Sequence, residues 1–220
     1  MTMNGPQTAE RLLAGARAHS AADTVLKRGM DVVVAAVALL MASPVMLAAA
    51  LAIKVHDGGP VLHRRRCVGI GGKEFDAFKF RSMRIDADQM LERDERLRTR
   101  FERNFKLERD PRVTGVGRLL RRTSIDELPQ FWNVLKGEMS VVGPRMITRP
   151  ELAKYGEFTA LLLTVKPGIT GYWQTEGRQK TSFEERVRMD VHYIQNRSFW
   201  FDVRILLRTP LKVLKAEGAY

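Results

Sequence analysis

The run VVVAAVALLMASPVMLAAALAI, Val32 to Ile53, decides how the rest of the chain is arranged. It starts too far into the chain and is too long for the apolar region of a secretory signal peptide. At about 22 residues it could cross a bilayer as one straight helix. Two features point instead to a helix that enters and turns back. Ser43 and Pro44 sit mid-run, where a proline removes a backbone hydrogen bond and clashes with the preceding turn, and where a serine hydroxyl can satisfy the freed carbonyl. Lys27 and Arg28 precede the run while Lys54, Arg64, Arg65 and Arg66 follow it. Positive flanks favour one side of a membrane, so both ends ask for the same side, which a spanning helix cannot satisfy. The straight span stays open as the alternative, because membrane helices tolerate proline.

Outside the run the chain is basic, with 37 Lys+Arg against 25 Asp+Glu among 220 residues and a formal charge of +12. An anionic partner is implied: nucleic acid, anionic lipid or a phosphorylated substrate. The single cysteine, Cys67, excludes an internal disulfide and reads as a small packed side chain. Met1 to Asp23 read as a flexible tail or short surface helix. After the run, glycine clusters at Gly58–Gly59 and Gly69–Gly72 and the alternation from Phe75 to Phe80 predict a hairpin. Lys79 and Arg81, two apart on such a strand, would share a face and could hold a phosphate or merely solvate an edge. From Ile85 to Arg109 dense charge with a thin apolar stripe predicts a surface helix whose arginines are interleaved with acids, a solvated face rather than a nucleic-acid surface.

The chemistry concentrates in TSIDELPQFWNVLKGEMSVVGPR, Thr123 to Arg145. Asp126 and Glu127 are adjacent carboxylates, with Arg118, Arg121 and Arg122 before them and Arg145 after. Ser124 and Glu127 have capping-box spacing, and Phe131, Trp132, Val134 and Leu135 read as a helical face. Pro129 allows the cap to slip to Asp126. Either register sets Asp126 at a helix N-terminus, where the dipole favours phosphate and lowers a carboxylate's pKa. The alternative is that the pair are only first-turn acids. Gly137 ends the helix, SVVGPR reads as a buried strand and turn presenting Arg145, and KPGITGYWQTEGRQ (Lys166–Gln179) reads as a loop that brings Arg178 near a ligand. Two helical patterns follow, Phe183–Gln195 and Phe199–Ala216. The second has the basic, apolar make-up of a helix lying on an anionic membrane.

Taken together, KRGMDVVVAAVALLMASP, FDAFKFRSM, DPRVTGVGRLLRRTSIDELPQFWNVLKGEMSVVGPR, KPGITGYWQTEGRQ and DVHYIQNRSFWFDVRIL, in order from Lys27 to Leu207, resemble the bacterial sugar transferases. These are monotopic polyprenyl-phosphate phosphoglycosyl transferases, and the likeness is to the short, exopolysaccharide-initiating form. The resemblance implies an α+β, mostly helical protein: a tail (1–24), a single-leaflet re-entrant helix bent at Ser43 and Pro44 (25–56), and a compact cytoplasmic catalytic domain with amphipathic interfacial helices (57–220). It implies transfer of a sugar-1-phosphate from a UDP-sugar, galactose or glucose, to undecaprenyl phosphate at the bacterial inner membrane, with release of UMP. Asp126 would be the nucleophile, forming an aspartyl phosphosugar. Glu127, with Asp126, would hold Mg²⁺, and Lys79, Arg81, Arg121, Arg145, Gln174 and Arg178 would contact substrate. Anionic lipid is the further partner implied, nucleic acid is not, and a homo-oligomer is left open. The chain departs from the family pattern at Met146, where a proline is usual, at Gln179, where Asn is usual, and at Tyr172 and Trp173. A non-catalytic basic scaffold at the membrane surface is the alternative to catalysis.

Overall fold

In the computed structural model, which describes residues 21–104, 107, 110–177 and 181–214, the apolar run lies within one 37-residue helix, α1 (Ala21–Asp57). The helix continues through Pro44. Proline cannot donate to the Leu40 carbonyl one turn back, and the Ser43 hydroxyl takes that carbonyl instead, at 2.8 Å. The middle of α1 is exposed, including Leu40, Met41 and Leu47. Both of its ends pack on the rest of the molecule.

At the N-terminal end, Asp31 is buried and accepts from the Val141 amide (2.9 Å) and the Ser140 hydroxyl (3.0 Å). Lys27 bridges Asp31 (3.2 Å), Asp202 (2.9 Å) and the Val142 carbonyl (3.1 Å). Arg28 donates to the Val134 and Leu135 carbonyls at 2.7 and 2.8 Å. These two cations, read from sequence as membrane flanks, fasten the helix to the domain. At the other end Ala49 and Ile53 pack with Phe80 and Leu120.

The expected hairpin is present: β1 (Leu62–Val68) pairs antiparallel with β2 (Glu74–Phe80), Leu62 opposite Phe80. The predicted surface helix is two helices, α2 (Ala87–Arg93) and α3 (Glu95–Asn104). They break at Asp94, whose carboxylate accepts from the Leu97 amide in the first turn of α3. Phe105 lies outside the described residues. Then come α4 (Gly115–Arg122) and α5 (Gln130–Lys136), the latter ended by left-handed Gly137 as expected.

The strand expected in SVVGPR is β3 (Ser140–Val142). Its partner was not foreseen. KPGITGYWQTEGRQ is not simply a loop, since it forms β4 (Gly168–Thr170), parallel to β3, and a one-turn helix α8 (Tyr172–Glu176), after the short helices α6 (Arg149–Ala153) and α7 (Thr159–Leu162). A three-residue strand has too little alternation to be read from sequence.

The chain closes with α9 (Phe183–Asn196) and α10 (Phe199–Leu214). The first is a core helix, burying Val187, Tyr193 and Ile194 against β3 and its neighbours. The second buries Ile205 but exposes Trp200 (76%), Leu207 and Leu211. Cys67 is buried, and burial pushes its thiol up to about 11, so it is an inert packed side chain.

Asp190 on α9 is a buried acid in this core, held by the Tyr155 hydroxyl at 3.0 Å. Burial raises its pKa to about 7, against the opposing pull of Tyr155, Arg145 and Arg186. A carboxyl raised by folding binds a proton in the native state that the unfolded chain has lost. Its contribution is therefore complete below the unfolded value near 3.8 and disappears as pH rises through about 7. Thermal unfolding in detergent is expected to show stability falling across that window, at most by about 1.4 kcal/mol per pH unit for one proton. Asp190→Asn should flatten the slope, and an unchanged slope would dismiss this origin.

Candidate active site

Thr114 caps α4 by accepting from the Gly117 amide at 2.9 Å. A Cβ on Gly117 would lie 1.9 Å from the Ser82 carbonyl oxygen, so only glycine lets α4 approach the end of β2 this closely. The approach brings Arg121, in the last turn of α4, to the Ser82 hydroxyl at 2.8 Å. Immediately afterwards Ser124 takes a left-handed conformation, φ 56°, the one non-glycine positive φ among the described residues. Such outliers are stored where surrounding structure enforces them, often at functional sites. Here it turns the chain into a single 3₁₀ turn, Ile125–Glu127.

The expected capping box therefore does not form. Ser124 makes no side-chain cap, Glu127 turns instead to Lys79 on β2 at 2.7 Å, and α5 starts only after Pro129. Boxes are found instead at Thr148 and Glu151, opening α6, and at Ser182 and Glu185, opening α9.

Asp126 sits in the 3₁₀ turn, 7% exposed. Its pKa moves opposite to the expectation from a helix N-terminus. Burial pushes it up to about 6, the charge of Glu127 adds to this, and Lys79 and Arg121 pull back. The helix dipole argument fails because no α-helix begins at this residue. Burial also raises Glu127, but Lys79, by charge and hydrogen bond, with Arg145 and Arg65, outweighs it and holds Glu127 below its ordinary value. The result is one strongly ionised carboxylate paired to lysine beside a more basic, largely desolvated one.

Of the expected substrate-binding residues, Lys79, Arg121 and Arg145 converge on this pair. Arg81 does not. β2 ends at Phe80, so Arg81 leaves the strand's alternation. Its buried guanidinium holds both oxygens of Asp57 and, at 2.6 Å, the Pro60 carbonyl. It ties the C-terminal end of α1 to the end of β2. Gln174, on α8, is half-buried, and its Oε1 has no partner among the described residues. Arg178 lies outside the described residues.

Two residues escaped the sequence reading. Arg65 on β1 acts on Glu127 and pairs with Glu151 at 2.7 Å. It was visible only as a member of a basic run. Asn133 on α5 is fully buried, accepting from the Phe78 amide (3.0 Å) and donating to the Asp76 carbonyl (2.7 Å). It clamps the strand that carries Lys79 to the helix following Asp126. A buried polar residue on an apolar helix face was the available signal.

The fold presents one helix long and apolar enough to cross a membrane, and a carboxylate pair flanked by Lys79, Arg121 and Arg145. The chain belongs to the bacterial sugar transferase family, which it matches over residues 22–216. It is 44% identical over 200 residues to the undecaprenyl-phosphate galactose phosphotransferase of Salmonella typhimurium LT2, covering 89% of this chain and 42% of that protein. It is 41% identical over 209 residues to the UDP-glucose:undecaprenyl-phosphate glucose-1-phosphate transferase of Escherichia coli K12, covering 91% and 43%. To the exopolysaccharide production protein ExoY of Rhizobium meliloti it is 41% identical over 198 residues, 88% of each chain. The chain thus spans about two-fifths of the first two of these relatives and 88% of the third.

Proposed function

We propose that this chain is a phosphoglycosyl transferase that moves a galactose- or glucose-type sugar-1-phosphate from a UDP-sugar to undecaprenyl phosphate and releases UMP, initiating an exopolysaccharide. The observation that carries the reading is Asp126, desolvated and flanked by Lys79, Arg121 and Glu127. The names of the Salmonella and Escherichia relatives supply the galactose and glucose classes.

The Asp126 carboxylate oxygen attacks the sugar-bearing phosphorus. The bond from that phosphorus to the bridging oxygen breaks, and UMP leaves with the electron pair. An oxygen of undecaprenyl phosphate then attacks the same phosphorus and breaks the bond to aspartate, which returns as a carboxylate. Two displacements at a protein group replace one encounter between two phosphorylated substrates. Lys79, Arg121, Arg145 and Arg65 offset phosphate charge, and a carboxylate raised towards 6 is more basic than an ordinary aspartate while still mostly ionised at neutral pH.

Mg²⁺ fits the donor set. Adjacent Asp126 and Glu127 supply hard carboxylate oxygens, the donors such a cation takes from protein when it is held by one or two carboxylates and substrate phosphates. Glu127, one oxygen of which is on Lys79, would hold it with Asp126. When bound it would neutralise phosphate charge. Incubating the protein and undecaprenyl phosphate with a panel of UDP-sugars should yield UMP from one or two of them, and none from any would end the proposal.

The placement we favour is monotopic, in the inner leaflet of the cytoplasmic membrane with the domain on the cytoplasmic face. Asp31 and Ile53 both pack on one domain, yet they are separated by about 33 Å of helix, the thickness of a bilayer core. A spanning orientation would strand part of that charged domain in lipid or across it. Exposed Trp200, Leu207 and Leu211 on α10, with Leu119 and Trp132 near the carboxylates, suit the headgroup level, where the acceptor's phosphate lies and anionic lipids meet the basic faces. Cysteines in place of Val25 (70% exposed) and Val55 (85% exposed) flank the apolar run. A membrane-impermeant maleimide should label both in inverted vesicles and neither in spheroplasts. Labelling from opposite sides would exclude re-entry.

A further inference from the structure

The face of the β1–β2 hairpin that carries Lys79 also carries His63. The two stand directly opposite each other in the strand register. Opposite residues of an antiparallel pair project to the same side, with Cβ atoms about 4.5–5.5 Å apart. From this position Lys79 reaches Glu127 at 2.7 Å. Arg65, two residues along β1, shares the face. His63 is thus a neighbour of the carboxylate centre, held there by strand pairing rather than by a loop.

The His63 side chain is open to solvent and makes no hydrogen bond or ion pair among the described residues. Partial desolvation lowers its pKa below the ordinary histidine value; Asp88 on α2 opposes this, and the charges of Lys79, Arg65 and Arg121 add to it. The ring is therefore neutral at neutral pH while no anion is bound. Three cations that serve phosphate at this centre act on an imidazole whose N–H has no acceptor in the protein. A phosphate group drawn to those cations reverses the balance at the ring, because a nearby negative charge favours imidazolium. The ring then takes a proton from solvent and donates N–H to a phosphate oxygen. A lysine at the same position would carry its charge permanently and repel Lys79 and Arg65 whenever the centre is empty.

We propose that His63 is a phosphate-binding residue of this centre, donating a ring N–H to a substrate phosphate oxygen from the strand position opposite Lys79 and becoming charged as the phosphate arrives. The transferase reading supplies two sources of that phosphate, the nucleotide and the polyprenyl acceptor, and the chemistry of recognition is common to both.

The test is NMR titration of histidine ring ¹³Cε1 resonances in detergent-solubilised protein, free and saturated with UMP or with a short-chain polyprenyl phosphate. The chain has four histidines, and the His63 signal is the one missing from His63→Gln, a change at an exposed position that should leave the fold intact. The His63 midpoint should rise by about 1 pH unit or more with at least one ligand, and the ligand that raises it identifies which phosphate His63 holds. Equilibrium affinities of wild type and His63→Gln at pH 6 and pH 8.5 give a second reading. Asp126 and the ligand's own phosphate titrate in the same range, but they do so in both proteins and cancel in the ratio. The variant should bind that ligand about tenfold or more weakly at pH 6, and the gap should narrow at pH 8.5. A midpoint moved by neither ligand, or a ratio that is the same at both pH values, overturns the assignment and leaves His63 a solvated strand residue. Binding needs no turnover, so the two readings fail separately. UMP release with a fixed midpoint refutes only the role of His63, and a shifted midpoint with no UMP from any UDP-sugar refutes only the transferase.

Discussion

Asp126→Asn is expected to abolish UMP release, by at least about 10³-fold, while the protein stays folded and membrane-bound. An amide of the same shape has no anionic oxygen with which to attack phosphorus, and removal of an attacking group costs orders of magnitude that neighbouring residues do not restore. A second signature separates this from a folding defect. Folding raises the Asp126 pKa to about 6, chiefly by burial. The ionised side chain therefore opposes folding above that pH, and stability is lost as pH rises through the folded value. Asn carries no charge, so the variant's melting temperature at pH 8 should equal or exceed that of wild type. Wild-type protein given labelled UDP-sugar without lipid acceptor should retain label, and the variant should not. Normal turnover in Asp126→Asn would remove the nucleophile from the mechanism, and a lower melting temperature would show that burial is not what raises the carboxyl.

The parts of this site that sequence made legible are those set by local pattern. Phe75 to Phe80 alternates and is a strand, Gly137 sits where a helix must end, and Asp126 and Glu127 follow Arg121 within six residues of chain before any contact is known. The rest depends on pairings between distant residues. Glu127 has the spacing to cap Ser124, yet Lys79, 48 positions earlier, offers it a charge and wins. Arg81 stands two residues from Lys79, but Asp57, at the end of α1, holds it from the side. The pKa of Asp126 was misjudged for the same reason. A local argument supplies the dipole, whereas desolvation comes from the domain closing over the turn. Lys27 and Arg28 show the converse, since their charge suits a membrane flank and their bonds to β3 and α5 are visible only in the fold.

A large structural effect is expected at Gly168, the first residue of β4. A Cβ there would stand 2.1 Å from the Gly143 nitrogen and 2.4 Å from the Thr170 carbonyl oxygen, contacts that backbone on both sides cannot relieve by rotamer change. Its amide donates to the Pro144 carbonyl at 2.8 Å, and Ser140 and Arg145 both pair beside it. Gly168→Ala must therefore separate β3 from β4 to make room. Overpacking costs about 1–3 kcal/mol where side chains can shift, and backbone yields less. The loss should appear as a markedly lower midpoint in thermal or denaturant unfolding, or as no folded protein at all. Any fraction that folds should bind pyrophosphate weakly, because the turn presenting Arg145 moves with β3. By contrast, Gly71→Ala, with open space around its Cβ and only a left-handed φ of 65° to strain, should cost about 1 kcal/mol and leave binding intact. If Gly168→Ala were no worse than Gly71→Ala, the close parallel pairing of β3 with β4 would not be what sets Arg145 opposite the carboxylates.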